Sequence, residues 1–482
     1  MALPDLMESI AESKIMDRLD NSKASRFYWF LTLLATVGGF LFGYDTTNIA
    51  IVEGFLPKSF ISSATNPFIT GYLFSGVSLG AAAGALIAAS LIDRYGRKYM
   101  LIFDAFLYSL GAILSALSVD LLMLLISRTI IGIAVGADSA IATSYISEWA
   151  PKNKRGSLGI LQQWMITVGI LGAYIIGLAV LYGIPSSAFT LDWRLLLGFA
   201  AIPAIIGLAF RFVMPESPRW LVSKGKYKSA VKSFKTLGIE TNEQELLKEY
   251  PISTTRKRVL TPGIKRAFII VALFMVFQQI TGINIPFYYG PIIIQSLHIF
   301  SSTTNPVTSE VFVVEAASIF AVVNVVATYI GFKYIDKVGR RKLALIGYGG
   351  MALFGFIGAI LKFAGQDVGM LVAISIFIVF FAFGVGGTGW IIQGEYFPTE
   401  YRGTLASLIA FIDWISNFAI IEIFPYMDSS IHIAGSLVVF AVLSVMAVII
   451  FYKIMPVTKG KSVEEITKLF DSIADKRIAT GK

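Results

Sequence analysis

The sequence predicts an all-α membrane protein: twelve transmembrane helices in two pseudo-symmetric six-helix halves, with short cytoplasmic helices between the halves. Three observations predict it. The 482 residues are 56% hydrophobic and only 15% charged, with a mean hydropathy of +0.73, whereas soluble domains carry about 25% charged residues. Apolar runs of about 20 residues, each long enough to cross a hydrocarbon core of about 30 Å, recur along the whole chain. Three motifs at the ends of these runs return in the second half of the chain at nearly one offset.

Before Phe27 the chain holds Asp5, Glu8, Glu12, Lys14, Asp17 and Arg18 with no apolar h-region or small-residue cleavage site. The first span is therefore expected to act as its own insertion signal. Spans are expected at 27–51, 68–92, 99–118, 121–147, 157–182 and 193–213, and again at 267–296, 311–334, 343–363, 369–395, 404–424 and 431–455. They are helices because lipid offers backbone amides no partner, and the runs lack the alternation of barrel strands. Of the 40 Lys and Arg residues, only Lys58, Arg194 and Lys362 fall on the odd-numbered connections. Nearly all the others fall at the termini and the even-numbered connections, which puts both termini in the cytoplasm, below a cell membrane. The net charge of +9 thus reports orientation in a lipid bilayer and excludes a nucleic-acid partner. The absence of Cys excludes a disulfide framework or thiolate metal site, and two histidines, His298 and His432, are too few for metal chemistry. Neither a metal nor a cofactor is expected.

The connection after the second span reads Asp93-Arg94-Tyr95-Gly96-Arg97-Lys98, and that after the eighth reads Asp336-Lys337-Val338-Gly339-Arg340-Arg341, 243 residues on. Glu148-Trp149-Ala150-Pro151, followed by Arg155-Gly156, returns as Glu395-Tyr396-Phe397-Pro398, followed by Arg402-Gly403, at an offset of 247. Met214-Pro215 after the sixth span returns as Met455-Pro456 after the twelfth, at 241. A duplicated six-span unit follows. Because six is even, the copies keep one orientation, related by an axis along the membrane normal, and substrate is expected between them near mid-membrane. The organisation expected is a cytoplasmic segment 1–26, a half 27–215, a linker 216–265, a second half 266–455 and a cytoplasmic tail 456–482. Within the linker, Tyr227 to Leu237 and Glu243 to Tyr250 have helical character. The loop charges Asp93, Arg97, Glu148, Arg155, Asp336, Arg340, Glu395 and Arg402 are positioned to pair at helix ends, latching helices together in one conformation and releasing them in another. Solvated topogenic charge is the alternative, since exposed pairs contribute under about 1 kcal/mol.

Asp45 stands inside the first span, after Gly38, Gly39 and Gly43, and Arg128 inside the fourth. A charge at bilayer depth costs at least about 2.5 to 3.5 kcal/mol, so each must face the protein interior and find a partner. The two are expected to pair. A conformational change that separates them makes Asp45 a proton carrier; a static ion pair that fixes helix packing is the other reading. A second polar group lies in the seventh span: Gln278, Gln279, Thr281, Asn284, Tyr288 and Tyr289, with Gly282 and Pro286 loosening the helix around Asn284. Gln163, Asn324, Trp390, Asp413, Trp414 and Asn417 extend this chemistry into the fifth, eighth, tenth and eleventh spans. Amides donate and accept, as sugar hydroxyls require, and aromatic rings stack on sugar C–H faces. Any one amide also fits a role as interhelical glue, worth about 0.6 kcal/mol.

These residues give the chain a close resemblance to the sugar porter family of the major facilitator superfamily, over nearly its whole length. The resemblance rests on Gly43-Tyr44-Asp45-Thr46, on Asp93-Arg94-Tyr95-Gly96-Arg97-Lys98 and its second copy, and on Pro215-Glu216-Ser217-Pro218-Arg219-Trp220-Leu221. Gln278-Gln279 through Asn284, and Pro456-Val457-Thr458-Lys459-Gly460, complete it. It implies the major facilitator fold and monosaccharide transport by alternating access, with a hexose or pentose held at Gln163, Gln278, Gln279, Asn284, Asn324, Trp390, Asp413 and Asn417. Tyr288 and Tyr289 match outer gates. Asp45 matches the acid that separates proton symporters from facilitators, and Arg128 its partner. Sugar and protons are the implied partners, and a monomer the functional unit. The chain departs from the family at Gly386-Gly387-Thr388-Gly389-Trp390, where a proline-containing turn is usual, so that Gly389 joins Pro286 as a gating position. Asp413 stands in place of the usual amide, and Asp138 in the fourth span is foreign to the pattern; both are additional candidates for proton coupling.

Other functions compete. A facilitative uniporter needs no acid at Asp45. A proton symporter of phosphate or an organic anion would draw on Asp138 and Arg128. A non-transporting sugar sensor would be favoured by a longer cytoplasmic tail than 456–482. An enzyme is not expected, since no nucleophile, metal cluster or nucleotide loop is apparent.

Overall fold

Inside lipid a helix satisfies its own amides, and each apolar run is helical in the computed structural model, which describes residues 15–22, 26–57, 59–60, 67–149, 151, 158, 160–183, 189–250, 260–297, 306–461 and 463–480. Eleven continuous stretches among the described residues are long and apolar enough to cross a membrane. The last of them, within the 56-residue helix Thr399–Ile454, is two spans: at about 1.5 Å per residue it is far too long for one crossing. His432, at φ 57°, parts the eleventh span from the twelfth. Twelve crossings result.

Several spans are interrupted, which hydropathy alone does not predict. The first divides at Thr36 into Arg26–Ala35 and Val37–Val52, the Thr36 hydroxyl donating back to the Leu33 carbonyl at 3.0 Å. The sixth divides at Ala200 into Phe189–Phe199 and Ala201–Val213. The expected run 267–296 is three helices, Pro262–Ile280, Ile285–Tyr288 and Gly290–Ser296, broken at Gly282, which adopts φ 83° as only glycine does readily. The tenth contains a widened turn, Phe381–Gly386, between Asp367–Phe380 and Gly387–Glu395.

Small residues bring helices into backbone contact. A Cβ on Gly43 would overlap the Ile166 carbonyl, and one on Gly169 the Phe40 carbonyl, so the first span lies directly on the fifth (Leu161–Gly183). Gly80, Gly84, Gly132 and Gly136 do the same for the second (Pro67–Tyr95) and fourth (Leu121–Trp149). The second span packs along the eleventh, and the fifth along the eighth (Pro306–Val338). These two seams join the amino-terminal spans to the carboxy-terminal ones. Outward-facing side chains such as Phe103, Phe106, Ile202 and Ile206 are exposed and apolar, as a lipid-facing surface requires.

The duplication extends to backbone dihedrals: Gly96 (φ 96°) and Gly339 (φ 94°) occupy equivalent left-handed positions before the third span (Arg97–Ala116) and ninth (Arg340–Phe363). The expected linker helices are Tyr227–Thr236 and Glu243–Glu249, with a further one, Pro218–Ser223, capped by Ser217. Two helices on polar stretches had no sequence expectation. Ile15–Asp20 buries Ile15 and Leu19 against Trp220, Phe234 and Leu246, and is tied by Arg18 to Glu245 and by Asp20 to Arg219 (2.6 Å). Val463–Thr480 packs Phe470 on Tyr396 and accepts from Thr261 at Asp471, 2.8 Å.

Candidate functional site

The break at Gly282 frees the end of the seventh span from helical pairing and turns Gln278, Gln279 and Asn284 toward the seam between the halves. A cavity of about 40 Å³ lies there, room for a few waters. Its lining includes all eight residues expected to hold substrate: Gln163, Gln278, Gln279, Asn284, Asn324, Trp390, Asp413 and Asn417, together with Phe42 and Trp414. Gln163 and Phe42 come from the amino-terminal spans and the rest from the carboxy-terminal ones, so the carboxy-terminal spans supply most of the polar groups.

Gln279 is the hub. Its amide nitrogen donates to Asp413 at 2.7 Å, and its oxygen accepts from Asn284 at 2.6 Å and from Asn417 at 2.8 Å. Across the seam, Trp390 Nε1 donates to Gln163 Oε1 at 3.0 Å, and Trp414 Nε1 to the Ser139 hydroxyl at 3.0 Å. Phe42 meets the Trp414 ring edge-on at 4.7 Å. The buried oxygen of Gln278 has no hydrogen-bond partner among the described residues, although a buried amide normally finds one. Gly389 lies directly against it, and any Cβ there would overlap it.

Asp45 and Arg128 pair as their spacing in the spans requires. The two terminal guanidinium nitrogens each face one carboxylate oxygen at 3.3 Å, with Asp45 2% and Arg128 0% exposed, and Arg128 Nε donates to the Leu73 carbonyl at 2.7 Å. Two hydrogen bonds near this pair cross the seam between the halves. Thr46, next to Asp45, donates to Tyr288 at 3.4 Å, and Ser78 donates to Asn417 at 2.6 Å. Of the residues expected to gate, Tyr288 is wholly buried. Tyr289 donates to the Ile421 carbonyl at 2.9 Å and wedges its ring between Phe74 (4.7 Å) and Phe424 (5.0 Å), closing the seam on the side away from the linker. Pro286 opens the short helix Ile285–Tyr288.

On the linker side the repeated charges pair within each half. Arg97 bonds Glu148 at 2.8 Å and approaches Asp93 at 3.5 Å; Arg340 bonds Glu395 at 2.7 Å and Asp336 at 2.9 Å. Asp93 and Arg97 also face Gly403 in the first turn of the eleventh span, where a Cβ would stand 3.3 Å from Asp93, and a carboxylate is favoured at that positive helix end. Arg402 donates to the Phe397 carbonyl at 3.1 Å. Arg155 lies outside the described residues. Glu216 caps the third span, accepting from the backbone N–H of Arg97 (3.0 Å), Lys98 (3.2 Å) and Ser217 (2.8 Å). Burial pushes its carboxyl up and those N–H groups oppose the shift.

Asp138 lies away from the cavity. It binds Arg211 at 2.5 Å, and Arg211 also holds Asp104. Asp104 and Arg211 carried a signal that sequence reasoning passed over, being charges inside the apolar runs 99–118 and 193–213. Glu422 was missed likewise; it accepts from Ser75 at 2.6 Å across the seam.

Comparison with known proteins agrees with this fold. The model of the sugar (and other) transporter family matches residues 31–470. An arabinose-proton symporter of Bacillus subtilis (strain 168) is 35% identical over 458 residues, 93% of this chain and 96% of that protein. A D-xylose transporter of Levilactobacillus brevis is 31% identical over 450 residues, 91% and 94% of the two chains. Among solved structures, a major facilitator superfamily proton:xylose symporter bound to 6-bromo-6-deoxy-D-glucose superposes with a TM-score of 0.79 at 26% identity, covering 93% of this chain and all of that one.

Proposed function

The chain belongs to the sugar (and other) transporter family, and from that premise we propose that it carries a monosaccharide together with a proton across a cell membrane by alternating access. The two halves, 27–215 and 266–455, rock about the central cavity, and the termini and linker 216–265 lie in the cytoplasm. The observation that carries this reading is the amide-lined cavity at the seam with the buried Asp45–Arg128 pair near it: Ser78 of the second span donates to Asn417, Asn417 donates to Gln279, and Tyr288 accepts from Thr46, the residue after Asp45.

In this mechanism the cavity supplies the donors and acceptors that a pentose or hexose needs. Gln163, Gln278, Gln279, Asn284, Asn324 and Asn417 address hydroxyls, Asp413 accepts, and Trp390 and Trp414 offer apolar faces. The cavity lining holds no Lys or Arg among the described residues, and Asp413 adds negative charge to it, which disfavours phosphate or an organic anion. A proton enters at Asp45. Neutralising that carboxylate weakens its hold on Arg128 and frees the first span against the fourth. Tyr288 and Tyr289 then govern access from outside, and the Asp93–Arg97–Glu148 and Asp336–Arg340–Glu395 clusters hold the cytoplasmic side closed until the halves rock. In a uniporter the Asp45–Arg128 pair would serve helix packing alone, so gradient-driven accumulation that is lost in Asp45→Asn separates symport from uniport.

The test is exchange of labelled arabinose, xylose, glucose and galactose by the purified chain in liposomes. Saturable exchange of at least one, competed by the unlabelled sugar and lost in Gln279→Ala, supports the reading. Exchange of none of them, with phosphate or an organic acid moving instead, overturns it.

A further inference from the structure

Two buried carboxylates share one guanidinium in the amino-terminal spans, apart from the Asp45–Arg128 pair. Arg211 of the sixth span holds Asp104 of the third and Asp138 of the fourth, all three 1–2% exposed. Both carboxylates thus meet at one guanidinium, and Gln162 of the fifth span neighbours Asp138. The first span closes the site with Gly38, where a Cβ would overlap the Asp138 carboxylate, and Gly39, packed on Gln162. Among the described residues the charged or titratable groups that face the cluster are therefore Asp104, Asp138 and Arg211, with an amide from the fifth span and glycines from the first.

Charge counting makes this cluster more than a packing device. One guanidinium against two carboxylates leaves a net charge of −1 at a buried position, with Arg211 the one cation paired to them among the described residues. One oxygen of Asp104 and one of Asp138, both Oδ2, have no donor among the described residues. Two carboxylates held on one buried guanidinium repel when both are ionised, and a proton taken up by one of them relieves that repulsion. We propose that Asp104 and Asp138 form a second proton-binding site, holding one proton between their carboxylates beside Arg211, on the linker side of the Asp45–Arg128 pair. The proton joins one carboxylate oxygen and the cluster passes from −1 to neutral.

The position ties the two sites together. Asp138 follows Arg128 by ten residues on the fourth span, about 15 Å, and Gly38 precedes Asp45 by seven on the first, about 10 Å. A movement that parts Asp45 from Arg128 therefore shifts both helices that enclose the inner site. The link to coupling rests on the proposed symport, but occupancy by a proton does not, and it can be read without transport.

Infrared spectra of the purified full-length chain in water and heavy water test it, through the C=O stretch of protonated carboxyl groups at neutral pH. Asp104→Asn and Asp138→Asn each leave Arg211 one ionised partner and are expected to remove one carboxyl's worth of that band; Asp45→Asn is expected to keep this component. If one variant does not fold, the other asks the same question from the opposite side. A wild-type spectrum with no protonated carboxyl, or a band that neither substitution changes, overturns the proposal. Sugar transport with an unchanged band defeats this inference alone, whereas the expected band in a chain that moves no sugar defeats the transport reading alone.

Discussion

The hydroxyl of Ser78, in the second span, donates to the side-chain oxygen of Asn417, in the eleventh, at 2.6 Å across the seam between the halves. Asn417 in turn donates to Gln279, so this serine joins the side that carries Asp45 to the amides of the cavity. Ser78→Ala removes one hydrogen bond, worth about 1 kcal/mol. The expected result is a rise of about fivefold in the sugar concentration that half-saturates exchange, with gradient-driven accumulation reduced more than exchange. Equal loss of both would make Ser78 a packing residue only.

Gln279 makes three hydrogen bonds at once. Gln279→Ala leaves Asp413, Asn284 and Asn417 without their shared partner, and sites that lose a hydrogen-bonding group discriminate by orders of magnitude. Sugar affinity should fall more than tenfold in equilibrium binding, while the helical circular dichroism of the solubilised protein stays unchanged.

Two glycines make a matched pair. Gly389→Ala drives a methyl into the Gln278 side chain, whereas nothing lies within 4 Å of a Cβ at Gly349. Transport should be lost in Gly389→Ala and retained in Gly349→Ala, whose melting temperature should hold or rise, since alanine favours a helix over glycine by about 1 kcal/mol.

Arg97 is buried with Glu148 at 2.8 Å, and removing one member of a buried pair costs about 3 to 5 kcal/mol. Arg97→Ala should open the linker side. Because the chain has no cysteine, single cysteines introduced at that face report the change directly: their labelling by a polar maleimide should quicken in Arg97→Ala and in Arg340→Ala. Unchanged labelling in both would remove the latch from the mechanism.

The cavity was legible because amides, indoles and an acid stand out inside apolar runs, and all eight expected residues line it. Gly282 and Pro286 signalled the break in the seventh span, though only the backbone shows three helices there. Ser78 gave no signal, because a serine inside a span more often bonds its own helix, and its partner lies 339 residues away. Asp104 and Arg211 had the same signal as Asp45 and Arg128, but near the end of a span an arginine reads as a topogenic charge. The helices Ile15–Asp20 and Val463–Thr480 lie on polar stretches, where burial against the rest of the fold, and not hydropathy, makes them stable.

Proton coupling at Asp45 is the central claim, and accumulation in liposomes under an inward proton gradient tests it most directly. The wild type should concentrate a transported sugar above its outside level, and Asp45→Asn should exchange that sugar at a comparable rate without concentrating it. Accumulation that survives in Asp45→Asn would contradict the account and move the coupling site elsewhere in the chain.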